Sequence, residues 1–194
     1  MKLGAFYMMI NDVLEYNEQF VKDKKYEAFR TTKFPNKKMV IVTCMDTRLV
    51  ELLPQSMNLR NGDVKLIKNA GGTISHPFGS VMRSILVALY ELKASEVCVI
   101  GHHGCGMNNI NSFETIKKMQ ERGVSKQTFD TLEFAGINIE EWLTGFDNVE
   151  DSVLNSVNMI KKHPLLPLGT PVHGLVIDPE TGKLDVVVKD DVNA

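Results

Sequence analysis

The sequence has too few cysteines for a disulfide scaffold, since only three occur among its 194 residues. It also lacks an apolar run of the ~18 residues that a membrane-spanning helix requires. Its first residues show no signal-peptide pattern. Excess positive charge is absent too, because the net charge is −2, which argues against nucleic acid or anionic lipid as a partner. We therefore expect a cytoplasmic protein with reduced thiols and with no nucleic-acid or membrane partner.

The remaining composition is that of an ordinary globular chain, with 43% hydrophobic and 24% charged residues. No internal repeat, low-complexity segment or linker rich in proline, glycine or serine interrupts it. The length suits one domain with a full core. We therefore predict a single domain over residues 1–194, in which residues 1–35 form an N-terminal helical arm.

Five short apolar runs predict β-strands, and the first three are continuous, as in parallel strands that are covered on both faces. The predicted strands are residues 39–43, 64–68, 97–101, 171–177 and 184–189. Turn-forming residues 178–183 join the last two runs and predict a hairpin. Helical patterns cover residues 10–25, 77–92 (with Pro77 at the first helical position), 109–122 and 148–162, and short helical pieces are expected in 126–146. The fold class is therefore α/β, with a mainly parallel central sheet, an antiparallel edge strand and flanking helices.

Two clusters of metal-binding side chains follow directly after two of the predicted strands. Cys44 follows the first strand, and His102 and Cys105 follow the third. Ligands of such sheets bind at the carboxyl ends of the strands, so the two clusters are expected to share one site. Two thiolates with one imidazole favour zinc over harder cations. Three protein ligands leave one coordination position free, which is typical of catalytic rather than structural zinc.

Other interpretations of these residues remain open. Cys44 taken alone could be a small buried hydrophobe, and a Cys44–Cys105 disulfide is disfavoured in a reducing compartment. Cys98 lies in the middle of a strand and is interpreted as a core residue. His102 is preferred to the adjacent His103 as a ligand because it lies three residues before Cys105. We interpret His103 as a surface residue, with a proton carrier as the alternative.

Asp46 and Arg48 follow Cys44 at steps of two residues. In an extended segment all three side chains would point to one side. An arginine fork keeps a carboxylate ionised and oriented, which suits a hydrogen-bond acceptor for zinc-bound water. The alternative is structural, because an Asp before the apolar run that begins at Leu49 is a natural helix N-cap, and Arg48 could simply be solvated.

The same residues resemble the signature of the β-class carbonic anhydrases, Cys-x-Asp-x-Arg followed by His-x-x-Cys. The two parts read CMDTR at residues 44–48 and HHGC at residues 102–105. Between them, NAGG at residues 69–72 is similar to the family's Asn-Ala-Gly segment. The match in order and spacing runs from about residue 39 to residue 107, and the size of the chain resembles the small microbial members.

This resemblance implies a zinc enzyme that reversibly hydrates carbon dioxide to bicarbonate and a proton by means of a zinc-bound hydroxide. It implies metal ligands at Cys44, His102 and Cys105, an Asp46–Arg48 dyad, and a substrate pocket at Ala70, Gly71 and Gly72. Asp46 is a fourth ligand in a closed state of the family's site. The resemblance also implies a homodimer or larger assembly, in which the N-terminal helix packs on a partner subunit.

Two further functions stay open at this point. Hydrolases of carbonyl sulfide and carbon disulfide are similar to β-class carbonic anhydrases and share the metal cluster. A catalytically silent zinc protein would instead hold Asp46 permanently on the metal. Thiol redox chemistry and nucleotide binding are disfavoured, because the chain has neither Cys-x-x-Cys nor the full glycine fingerprint.

Overall fold

The computed structural model describes residues 4–190, with side chains from residue 9 onward. The two ends of the predicted 1–194 domain, residues 1–3 and 191–194, lie outside this part. Contacts divide the chain into two units, residues 1–33 and 34–194, which are described separately. Among the described residues, no helix combines the length and the apolar character needed to cross a membrane.

The first unit contains helix α1, Gly4–Lys22, and a 3₁₀ turn, Lys25–Phe29. The helix ends earlier than the predicted residue 25 because Lys24 takes a left-handed conformation with φ 55°. Many of its apolar side chains are exposed, namely Met9, Ile10, Val13, Leu14, Tyr16 and Val21. The helix therefore presents an exposed apolar surface.

In the second unit, five strands form one sheet in the order β2-β1-β3-β4-β5. The strands are β1 Met39–Cys44, β2 Val64–Asn69, β3 Glu96–His102, β4 Val172–Ile177 and β5 Leu184–Val188. The first four are parallel, whereas β5 runs antiparallel to β4 at the edge. The predicted fold class and the final hairpin are confirmed.

Six helices of this unit connect and cover the strands. They are α2 Leu49–Ser56, α3 Ser80–Tyr90, α4 Ser112–Glu121, α5 Lys126–Phe134, α6 Ile139–Leu143 and α7 Val149–Lys161. The prediction that Pro77 opens α3 is wrong. The carbonyl of His76 accepts the Gly79 N–H and its ring accepts the Phe78 N–H, so a separate turn precedes the helix.

The central strands are buried on both faces. Alternate residues of β1 and β3 face α3 and α7 on one side and α2 on the other, so two apolar clusters sandwich the sheet. Helix α7 lies so close that a Cβ built on Gly101 or Gly174 would come within 2.7 Å of a valine methyl of the helix. This close packing holds α7 against β3 directly before its last residue, His102, and against the neighbouring β4.

Candidate metal centre

The predicted ligands meet at the point where the sheet changes winding direction. The chain passes from β1 to its neighbour β2 and then to β3 on the opposite side of β1. This arrangement opens a crevice beyond the carboxyl ends of β1 and β3. Cys44 is the last residue of β1 and His102 is the last residue of β3. A left-handed turn at Gly104, with φ 61°, then brings Cys105 back toward both.

The structure brings all three side chains together, with their ligand atoms within 4.8 Å of one another and each residue buried. The Sγ atoms of Cys44 and Cys105 are 3.8 Å apart and form no disulfide. Tetrahedral coordination with metal–sulfur bonds of about 2.3 Å places two sulfurs about 3.8 Å apart. The sulfur pair is therefore spaced for one shared ion.

The imidazole of His102 is oriented for coordination as well. Its Nδ1 lies 2.9 Å from the carbonyl oxygen of His103. Because a carbonyl only accepts, Nδ1 carries the proton and Nε2 keeps its lone pair. Nε2 is buried and has no hydrogen-bond partner among the described residues. A buried orphan nitrogen beside two sulfurs fits a divalent metal that prefers soft ligands.

The two thiols differ in their surroundings. Burial raises the pKa of Cys44, but the adjacent His102 imidazole and the backbone N–H groups of Asp46 and Gly71 outweigh it and lower the pKa to about 7. Burial and the nearby Cys44 raise the pKa of Cys105, against the Met107 N–H that donates to its Sγ at 3.5 Å. Cys44 is therefore the thiol that ionises first.

The remaining cysteine and the neighbouring histidine lie apart from this group. Cys98 is buried within β3, and burial raises the pKa of its thiol to about 12. The interpretation of Cys98 as a core residue is confirmed. The side chain of His103 is exposed, whereas that of His102 is buried, as the divergence of adjacent side chains predicts.

Asp46 and Arg48 form a bidentate pair at the mouth of the crevice. Arg48 Nε donates to Asp46 Oδ1 at 2.9 Å and Nη2 donates to Oδ2 at 2.8 Å. Nη2 also donates to the carbonyl of Gly104 at 2.9 Å, which ties the pair to the turn before Cys105. The hydrogen bonds from Arg48 hold the pKa of the Asp46 carboxyl well below its usual range. Asp46 Oδ2 lies 3.7 Å from His102 Nε2, beside the candidate metal ligands.

The backbone argument that predicted this pair is wrong, although the two side chains do meet. Arg48 has helical dihedral angles, so the segment after Cys44 is a turn and not an extended strand. Asp46 also does part of the work of a helix cap, because its Oδ1 accepts the backbone N–H of Arg48 at 2.9 Å. The structural and functional interpretations of Asp46 therefore coexist.

The predicted pocket residues Ala70, Gly71 and Gly72 form a 3₁₀ turn directly after β2. Gly71 has φ 79°, and its backbone N–H is one of the groups that lower the pKa of the Cys44 thiol. A Cβ on Gly72 would lie 2.9 Å from the backbone nitrogen of Cys44. The turn thus lies against the Cys44 end of β1, where only glycine allows this approach.

The main-chain groups around the site cannot be recognised in the sequence. These are the carbonyls of His103 and Gly104 and the N–H groups of Gly71 and Met107. Main-chain groups occur at every residue and leave no pattern in a sequence. The paired glycines after β2 were the one available signal.

The structure is that of an α/β protein in which two cysteines and one histidine that could hold a metal ion meet at the switch point of the sheet. The family model described as carbonic anhydrase matches residues 39–184. The chain belongs to this family, in its β class.

Individual relatives agree with this assignment. The Bacillus subtilis protein named "Putative carbonic anhydrase YvdA" is 63% identical over 179 residues, which cover 92% of this chain and 91% of that protein. The crystal structure of β-carbonic anhydrase isoform I from Trichomonas vaginalis superposes with a TM-score of 0.84 at 29% identity, covering 93% of this chain and 97% of that one. A carbon disulfide hydrolase of Acidithiobacillus thiooxidans is 26% identical over 161 residues, covering 77% and 72% of the two chains.

Proposed function

We propose that this protein binds Zn²⁺ through Cys44, His102 and Cys105 and catalyses the reversible hydration of carbon dioxide to bicarbonate and a proton. The observation that carries the proposal is the Asp46–Arg48 pair, whose carboxylate lies 3.7 Å from the His102 nitrogen but is bonded through both oxygens to Arg48. A structural metal site would not need a fixed, ionised carboxylate at its open side.

When bound, Zn²⁺ supplies Lewis acidity, which lowers the pKa of water and so supplies the nucleophile. Asp46 stays ionised because Arg48 holds it, so it can only accept a hydrogen bond. A group that only accepts orients a hydroxyl by its hydrogen and leaves the oxygen lone pair free for carbon dioxide. Arg48 fixes the position of Asp46 through the bidentate bond and its second bond to Gly104.

Several finer parts of the proposal follow from the same site. The turn Ala70–Gly72 contributes to the substrate pocket, since it lies against Cys44. Two thiolates neutralise the charge of the metal and weaken it as a Lewis acid, so activity should rise toward alkaline pH. We further propose a cytoplasmic homodimer or larger assembly in which the arm of residues 1–35 packs on a partner subunit. The exposed apolar side chains of α1 support this packing.

Hydrolysis of carbon disulfide or carbonyl sulfide is the second candidate, because relatives named carbon disulfide hydrolases are similar in sequence over most of this chain. These gases resemble carbon dioxide in shape and would meet the same nucleophile. The silent-protein alternative is less favoured by the structure, because Arg48 engages both oxygens of Asp46. That geometry supports the open rather than the closed form of the site.

The test is metal analysis of the purified protein combined with stopped-flow hydration of carbon dioxide across pH, with parallel assays of carbonyl sulfide and carbon disulfide. We expect about one zinc per chain and carbon dioxide turnover that increases with pH. Faster turnover of a sulfur gas would select the second candidate. Bound zinc without turnover of any gas at any pH would select the silent protein and refute the proposal.

A further inference from the structure

The loop between α6 and α7 returns to the chain directly after Cys105. Phe146 N–H donates to the Met107 carbonyl at 3.2 Å, and Asn109 N–H donates to the Phe146 carbonyl at 2.9 Å. These bonds form an isolated parallel bridge between Asn108 and Phe146. Helices α4, α5 and α6 therefore form an excursion from the main fold. The bridge between Asn108 and Phe146 joins its two ends and forms its base, which lies beside the metal centre.

On the Cys105 side, the base of the excursion packs against Met107, whose N–H faces the Cys105 thiol. A Cβ built on Gly145 would overlap the Met107 carbonyl oxygen and would lie 2.9 Å from Ile110 Cγ2. The N–H of the same Met107 residue donates to Cys105 Sγ at 3.5 Å. The backbone of Gly145 thus lies flat against the residue whose amide faces the thiol, and no side chain fits there.

On the Cys44 side, Phe146 packs against the turn Ala70–Gly72, which lies against Cys44. A Cβ on Gly71 would lie 3.2 Å from Phe146 Cε1 and 3.2 Å from Met107 Cγ. In the same turn, a Cβ on Gly72 would lie 2.9 Å from the backbone nitrogen of Cys44. Phe146 also packs against the apolar cluster that contains both cysteines. Residues 145–146 therefore contact both segments that lie against the cysteines.

We propose that Gly145 and Phe146 are positioning residues of the metal centre, because they hold the Met107 amide against Cys105 and the Ala70–Gly72 turn against Cys44. This inference rests on the proposed metal site but not on the reaction or the substrate. Hydrogen bonds from backbone N–H groups stabilise a thiolate and fix the direction of its lone pairs. Losing such an outer partner typically weakens metal binding by 10–100-fold.

The test compares zinc affinity, by chelator competition, and the absorption spectrum of the Co²⁺-substituted protein in four variants. Gly145→Ala displaces the Met107 peptide, and Phe146→Leu removes the ring from Gly71 while retaining an apolar side chain. We expect each to weaken zinc binding at least about tenfold and to alter the intensity of the thiolate-to-cobalt band.

Two glycines supply matched controls. Gly106→Ala adds the same methyl group next to Cys105, where nothing lies within 4 Å. Gly174→Ala overpacks β4 against Val153 and Val157 and destabilises the fold away from the thiols. Both should keep wild-type zinc affinity and an unchanged cobalt spectrum, although Gly174→Ala should lower the unfolding temperature.

If Gly145→Ala does not fold, Phe146→Leu decides the question. Wild-type affinity and spectrum in a folded Phe146→Leu protein would overturn the inference, as would an equal loss of affinity in Gly174→Ala. Neither result would touch the proposed function. If the wild-type protein itself bound no zinc, the proposed function would fail and the inference with it.

Discussion

Two groups of polar side chains share one edge of the sheet but differ sharply in their surroundings. The proposed metal ligands Cys44, His102 and Cys105 are only 5%, 1% and 6% exposed and belong to the packed interior. The side chains of Asp46 and Arg48 are 17% and 45% exposed. Among the described residues, His102 Nε2 is buried beside two sulfurs and has no hydrogen-bond partner, which suits a resident ion, whereas an ionised carboxylate that is partly exposed can meet a substrate. We therefore assign metal binding to the three buried residues and contact with the reactants to the Asp46–Arg48 pair.

Removing a buried ligand should have the largest effect. Cys44→Ala or His102→Ala leaves two ligands, so we expect loss of stoichiometric zinc and of all measurable hydration. Metal analysis and stopped-flow assays check this result. Cys98→Ala is the matched control, because it removes a buried thiol from β3 without touching the site and should keep both zinc and activity. Full zinc in Cys44→Ala would show that the buried group is not the metal site.

A substitution in the Asp46–Arg48 pair should affect turnover without affecting metal binding. Asp46→Asn keeps the shape of the side chain but replaces an oxygen acceptor by an N–H donor. We expect zinc to stay bound and turnover to fall by at least about 100-fold. Asp130→Asn, which breaks an ion pair with Lys126 on α5, should change neither quantity. Parental turnover in Asp46→Asn would refute the role of the dyad.

Acidification should weaken metal binding, but by less than the removal of a ligand. Because the pKa of Cys44 is lowered to about 7, this thiol is ionised above that pH and must release a proton to bind metal below it. Zinc affinity should therefore decline more steeply below pH 7, by about one further factor of ten per pH unit. Calorimetry in buffers of different ionisation enthalpy measures the protons released. A release that stays constant between pH 8 and pH 6 would contradict this assignment.

The same contrast explains what the sequence could and could not predict. Strand ends were predictable, because continuous apolar runs that stop at Cys44 and His102 mark where buried strands leave the core. The fold class and the convergence of the ligands followed from the position of parallel strand ends. The pairing of Asp46 with Arg48 was predicted from the wrong backbone, since turns depend on local bonds such as Arg48 N–H to Asp46.

The surroundings of the ligands could not be predicted. The amides of Gly71 and Met107 belong to the main chain, and the bridge from Met107 to Phe146 joins residues on either side of three helices. Short helical pieces were expected in residues 126–146, and α5 and α6 lie there. Nothing in their pattern indicated that the excursion would close beside Cys105, because only the packed fold brings Gly145 against Met107.

The most direct test is X-ray absorption spectroscopy at the zinc edge on the purified protein. We expect zinc to be coordinated by two sulfur atoms at about 2.3 Å, one imidazole nitrogen at about 2.0 Å and one further light atom. Cys98→Ala should leave this coordination unchanged, and Cys105→Ala should lose the zinc signal. A wild-type protein without zinc, or with zinc that no sulfur coordinates, would refute the proposed metal centre.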